Sequence, residues 1–222
     1  MQWICRVIRN DHCFSGTCQP VNADPAVDWV QANSIVTERS EKPIWQASAR
    51  WRRPGRRRRF CPAKTIAAIL GLPVADIDER YPIQEVSTGL PFFIVPLKTL
   101  SALQSARVDR NKYFAFIKDS WAKGILIFCP QAHETQNHIS VRVFVDYFGV
   151  PEDPATGSGN GCLAGYLVEH RYFGKDSIDI RSEQGYEIGR PSLLLLQAEQ
   201  RAAGIGIKVG GKAVIVAQGE FI

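Results

Sequence analysis

Residues 151 to 163 read Pro-Glu-Asp-Pro-Ala-Thr-Gly-Ser-Gly-Asn-Gly-Cys-Leu. Two adjacent carboxylates, Glu152 and Asp153, lead into a turn at Pro154. Gly157, Gly159 and Gly161 then alternate with small polar residues, and an apolar helical pattern opens behind them. Such a segment aims unpaired backbone N–H groups at one point, which suits a bound carboxylate or phosphate. An acid beside that point is placed to handle a proton. Asp153 is therefore the candidate catalytic residue; the competing reading is an acid that caps the turn or answers the helix dipole. Thr156, Gly157, Ser158, Gly159 and Asn160 form the candidate anion-binding turn. Ser158 is placed to cap the helix, leaving the amides near Gly159 and Asn160 for a ligand. The glycine spacing departs from the dinucleotide fingerprint, and no Gly-Lys-Ser/Thr follows for a nucleoside triphosphate.

The neighbours carry weaker signals. Glu152 reads as a solvated or salt-bridged acid. Cys162, in the first helical turn, is either an inert core thiol or one softened by the helix start. Ser87, Thr88 and Gly89 interrupt two strand-like runs; they are a plain turn or a second ligand contact, because Gly89 lets backbone approach closely. His133 and His138 flank a polar loop and read as surface histidines, and His170 as the cap of the far helix end. Cys13 and Cys18, with His12, lack the second ligand pair that a zinc site requires. The expectation is no metal.

The elements that must position these groups become readable from Pro62. Lys64 to Leu70 has helical spacing, with Gly71 as a stop. Strand-like text runs from Pro82 to Leu97, and Phe92-Phe93-Ile94-Val95 reads as buried on both faces. Leu100 to Lys118 reads as one helix and Gly124 to Cys129 as an apolar strand. His138 to Tyr147 alternates, Ile139, Val141, Val143 and Val145 against Ser140, Arg142, Phe144 and Asp146, which predicts one fully buried face. The helix behind the glycine turn, beginning at Ser158 or Gly159 and ending near His170, is apolar nearly all round and hence buried. Ser177–Arg181, Leu193–Ala198, Ile205–Val209 and Ala213–Ala217 read as strands, with a hairpin signal at Val209-Gly210-Gly211-Lys212. The order fits an α+β fold, a curled and mostly antiparallel sheet around one apolar helix.

Charge separates the chain into two parts. Residues 1–80 hold 13 Lys and Arg against 8 Asp and Glu, whereas residues 81–222 hold 14 of each. Seven arginines lie between Arg50 and Arg59, so the basic surplus belongs to one tract. That tract could grip phosphates, but no aromatic stacking platform accompanies it, and specific nucleic-acid binding is not expected. Residues 1–60, with tryptophans scattered without period, do not read as a regular domain, and the Trp51–Arg59 tract reads as a flexible arm or the product of a disturbed reading frame. The expected division is an atypical first-domain remnant and linker over 1–80 and a second domain over 81–222. No run of eighteen apolar residues occurs, which excludes a helical membrane span. Six irregularly spaced cysteines in a chain with ample apolar mass point to reduced thiols and a cytoplasmic setting.

Residues 62 to 221 resemble the later part of the PhzF-like phenazine-biosynthesis family, within the diaminopimelate-epimerase fold. The resemblance is carried by Pro82-Ile83-Gln84-Glu85-Val86-Ser87-Thr88-Gly89-Leu90-Pro91 and by Glu152-Asp153-Pro154-Ala155-Thr156-Gly157-Ser158-Gly159-Asn160-Gly161. Val209-Gly210-Gly211 and Gly219-Glu220-Phe221 extend it. It implies cofactor-independent isomerase chemistry on a small carboxylated metabolite, in a cleft between two similar domains. Asp153 would be the second-domain acid, Thr156 to Ser158 would hold the substrate carboxylate, and Ser87 to Gly89 would line the cleft. In the diaminopimelate epimerases a cysteine stands near the place of Thr156, so their two-thiol reaction is not implied. The family's first-domain Ser-Glu-Thr-like and Gly-His-Ala-Thr segments have no match. Thr37-Glu38-Arg39 is a poor echo of the first, and Phe60-Cys61-Pro62-Ala63-Lys64-Thr65 puts a lysine where the second has histidine. Impaired catalysis is therefore expected, with a non-catalytic anion-binding or self-associating domain, such as a homodimer, as the alternative.

Overall fold

The computed structural model describes the backbone of residues 44–51 and residues 61–212 in full. The arginines from Arg52 to Arg59, Thr37-Glu38-Arg39, the Cys13/Cys18 pair and the strand expected at Ala213–Ala217 lie outside the described residues. Among the described residues nine strands form one sheet: β1 (Ile44–Trp51), β2 (Gln84–Ser87), β3 (Pro91–Pro96), β4 (Gly124–Cys129), β5 (Ile139–Val145), β6 (Val150–Asp153), β7 (Ser177–Gln184), β8 (Ser192–Arg201) and β9 (Gly204–Gly211). Among the described residues four α-helices accompany them: α1 (Ala63–Leu70), α2 (Leu100–Ser105), α3 (Arg110–Ile117) and α4 (Gly157–Glu169).

The strand order is β1-β9-β8-β7-β5-β4-β3-β2, with β6 added to β5. Every pairing is antiparallel except β3/β4 and β5/β7. Helix α4 touches both edge strands, β1 and β2, as well as β3, β7, β8 and β9. Laid flat, seven strand spacings would separate those edges by about 34 Å, whereas a helix is about 10–12 Å across. The sheet must therefore curl around α4, and the expected α+β architecture is present.

Alternation distributes the apolar side chains over two cores. Phe92 and Ile94, Leu126 and Phe128, and Val141 and Val143 face α4, meeting Leu163, Tyr166 and Leu167. Phe93 and Val95, Ile125 and Ile127, and Phe144 face the other way, onto Ile66, Ile69 and Leu70 of α1, Leu103 of α2, and Tyr113 and Ile117 of α3. The helix before residue 81 thus shares its core with the sheet after it. Gly71 stops α1 in a left-handed conformation, and its N–H closes onto Ala67 O.

Three sequence expectations are corrected. The single helix over Leu100–Lys118 is two, because Thr99 and Asp109 each cap a new start by accepting from Ala102 N and Lys112 N. Strand β5 is buried on both faces rather than one. Its polar side stays inside because Arg142 and Ser140 both find buried partners, Glu152 and Glu183. Within residues 1–60, Ile44–Trp51 is a strand paired with β9; scattered tryptophans hid it, since an edge strand needs no strict alternation. No helix among the described residues is long and apolar enough to cross a membrane. No cluster of His, Cys, Asp and Glu suited to a metal occurs among them either.

Candidate functional site

Strand β6 delivers Asp153 to the start of α4 because it pairs with β5, Val143 opposite Asp153. Its neighbour Glu152 turns to the opposite side and forms a two-pronged ion pair with Arg142, at 2.9 and 2.8 Å. The salt-bridged reading of Glu152 holds, and this acid anchors β6 rather than facing the glycine turn.

Helix α4 begins at Gly157, one residue before the expected range, with Thr156 in extended conformation at the N-cap. Ser158 is therefore the second helical residue and exposed, not the cap. Thr156 makes no side-chain cap bond, because its hydroxyl is engaged elsewhere: it donates to Asp153 Oδ2 at 2.6 Å. The amides of Gly157, Ser158 and Gly159 belong to the first turn, which has no acceptor within the helix. Asn160 does not join them. As the residue that closes the first turn, it donates its N–H to Thr156 O at 3.0 Å, so the expectation of an available Asn160 amide is corrected.

The Asn160 side chain is fully buried and faces inward. Its Nδ2 donates to Thr156 O at 3.0 Å and to Gln184 Oε1 at 2.8 Å, and its Oδ1 accepts from Ser182 Oγ at 2.9 Å. Gln184, 1 % exposed, uses all four of its bonds here. Nε2 donates to Asp153 O and Thr156 Oγ1, while Oε1 accepts from Thr156 N and Asn160 Nδ2. A buried polar network is stable when every member is satisfied. Sequence reasoning missed Gln184 and Ser182. They sit at the end of β7, some two dozen residues beyond the turn, and only the parallel β5/β7 pairing brings them beneath it.

The Ser87–Gly89 segment also reaches the helix start. Thr88 Oγ1 lies 3.4 Å from Ser158 O and 3.6 Å from Cys162 Sγ. Gly161 leaves room for this contact, since a Cβ there would lie 3.3 Å from Thr88 Oγ1. Ser87 Oγ accepts from Gly89 N at 3.1 Å, a local turn bond, and Gly89 is exposed with φ +139. Thr88, Asp153, Thr156 and the Gly157–Gly159 amides thus gather at one helix end, and Asn160 lies beneath them. His133 makes none of these contacts; its backbone N–H donates to Glu183 at 2.6 Å, and its ring stacks on Tyr186 at 4.2 Å and lies 3.2 Å from Glu187.

Cys162 is fully buried, and burial pushes its thiol from the ordinary ~8.5 up to about 12. Burial likewise raises Cys129 and Cys61 to about 11 each. The inert reading of Cys162 follows, because the thiolate is the reactive form. The expected result is no labelling of Cys162 by a thiol reagent at pH 8 in the folded protein and full labelling in urea. These raised values stabilise the fold below the unfolded thiol value. That contribution is lost as pH climbs through the folded ones, so the urea midpoint should decline above pH ~8.5.

The family model described as phenazine biosynthesis-like protein matches residues 34–219. An uncharacterized isomerase of Mesorhizobium japonicum is 34% identical over 164 residues, covering 71% of this chain and 54% of its own length. The trans-2,3-dihydro-3-hydroxyanthranilate isomerase of Pseudomonas chlororaphis is 32% identical over 148 residues, 65% of this chain and 49% of that protein. The crystal structure of a PhzF-family phenazine biosynthesis protein from Bacillus anthracis superposes with a TM-score of 0.67. It covers 77% of this chain and 57% of its own at 22% identity, a likeness of fold. The chain spans about half the length of the curated relatives it matches.

Proposed function

The chain belongs to the phenazine biosynthesis-like protein family, and on that premise we propose that it is an isomerase or epimerase moving a proton on a small carboxylated metabolite. The observation that carries this reading is the 2.6 Å bond from Thr156 to Asp153 beside the first amides of α4. Curated relatives are named isomerases, and one is named for trans-2,3-dihydro-3-hydroxyanthranilate, a small carboxylate. The substrate carboxylate would rest on the Gly157–Gly159 amides, with Thr88 at the rim. As a proton leaves the neighbouring carbon, negative charge spreads into that carboxylate, where fixed N–H donors stabilise it more than they did the ground state. Asp153 would carry the proton.

The test is exchange of substrate carbon-bound hydrogen into deuterated water, with trans-2,3-dihydro-3-hydroxyanthranilate as the first probe. Asp153→Asn keeps an oxygen to accept from Thr156 but cannot take up a proton. Exchange should fall by roughly 10²-fold while the urea midpoint stays close to that of the unaltered protein. Undiminished exchange in D153N would overturn the assignment. A second reading, carboxylate binding without turnover, is favoured by one observation: no convincing match to the family's first-domain base segment occurs in the sequence. Saturable binding of the probe with no exchange at all would select it.

A further inference from the structure

We propose that Gln184 is a positioning residue for this chemistry: it fixes the Thr156 hydroxyl so that its single proton points at Asp153. The inference rests on the reading of Asp153 as the proton carrier. Two backbone groups decide how the Gln184 amide is turned. Asp153 O can only accept, so the NH2 group must face it, at 2.6 Å. Thr156 N–H can only donate, so the carbonyl oxygen must face it, at 3.2 Å. With that orientation set, Nε2 donates to Thr156 Oγ1 at 2.9 Å. The hydroxyl, already an acceptor, sends its own proton to Asp153 Oδ2 at 2.6 Å. Were the amide reversed, the hydroxyl would instead donate to Gln184, and Asp153 would lose the Thr156 proton.

Asn160 and Ser182 hold Gln184 in this state. Asn160 Nδ2 must face Thr156 O, another backbone acceptor, and so presents its second hydrogen to Gln184 Oε1. Ser182 Oγ supplies the proton that Asn160 Oδ1 accepts. Donor directions therefore run from the floor of the site, through Gln184 and Thr156, to the carboxylate. A fixed donor on Oδ2 holds the Asp153 carboxylate in one orientation beside the start of α4. Gln184 is buried and touches no substrate; its role is exerted through Thr156.

The decisive variants are Gln184→Glu, which keeps size and acceptor oxygen but loses the donor, and Thr156→Val, which removes the hydroxyl. Each should lower kcat for exchange by about tenfold with KM changed less than about twofold, and the double variant should be no worse than either alone. Thr156→Ser, which keeps the hydroxyl, should restore kcat. Separate losses that multiply in the double variant would overturn the inference. An independent readout is the 13C carboxyl resonance of Asp153 in protein without substrate. Its chemical shift should move in T156V and in Gln184→Met, both of which remove the aligned donor without adding charge. Gln184→Met serves in place of Q184E should the added charge prevent folding. An unmoved Asp153 resonance in a folded Gln184 variant would sink the inference whatever the activity. Full exchange in D153N would instead sink the assignment of Asp153, and the resonance would still report on Gln184.

Discussion

Replacing Arg142 with leucine is expected to lower the unfolding free energy by about 3–5 kcal/mol. The guanidinium is buried, with its side chain 6 % exposed, and faces a Glu152 side chain that is 9 % exposed. Its Nε and Nη2 meet both Glu152 oxygens, and its Nη1 donates at 2.9 Å to Leu103 O and Ala106 O, carbonyls at the end of α2. One side chain thus neutralises a buried acid and shares the end of α2 with Arg107, whose Nη1 donates to Gln104 O and Ala106 O at 2.8 Å each. Leucine fills the volume but leaves a carboxylate without its cation in a low-dielectric setting, with Glu187 a further acid near that position, 3.9 Å from Arg142. The Arg142→Leu/Glu152→Leu double variant should recover more than half of the loss, since two apolar groups face each other and Leu103 O is the carbonyl that loses its donor, Ala106 O still accepting from Arg107 Nη1. Arg142→Lys should fall between, keeping charge without the planar fork. Urea unfolding of the three variants measures this, and an R142L midpoint within about 1 kcal/mol of the unaltered protein would show the ion pair to be dispensable.

Arg142 also marks what could and could not be read from the sequence. Alternation in β5 showed which residues share a face, and those faces are real. A charged residue on the polar face looks the same whether water or a buried partner receives it, and the partner Glu152 is chosen by the β5/β6 pairing. Strand β4 and the end of α1 were legible to the residue, because a continuous apolar run and a glycine stop are local signals. The division between α2 and α3 was also written locally, in Thr99 and Asp109, but the apolar spacing ran across it and masked both caps. At the site, Asp153, Thr156 and the glycines announced themselves by composition. Gln184 did not: glutamine at a strand end is ordinary, and its meaning comes from a parallel pairing that brings β7 beneath the turn. Asn160 was misassigned for a related reason, since the fourth amide of a helix is already spent on the residue before the first turn.

Gly185→Ala is expected to cost at least about 3 kcal/mol of stability, well beyond the ~1–2 kcal/mol of a left-handed alanine alone. Gly185 has φ +83, and a Cβ built on it would lie 2.3 Å from Arg190 O and 2.9 Å from Pro154 O. Both neighbours are backbone, so neither can swing aside as a side chain would. Arg190 N–H donates back to Gly185 O at 2.8 Å, which ties the turn closed over the same spot. Gly189 is the control: its φ is +67, yet nothing lies within 4 Å of its Cβ position, so Gly189→Ala should carry the conformational cost without the collision. The added methyl at 185 must push Pro154 away from the end of β7. That movement separates Gln184 from Asp153 O and Thr156, the bonds through which the helix start is held. G185A should therefore lose the proposed carboxylate binding together with stability, whereas G189A should lose only a little stability and leave that binding unchanged. Equal urea midpoints for G185A and G189A would show that the close approach beneath Pro154 relaxes freely, and that the turn is not pinned from below.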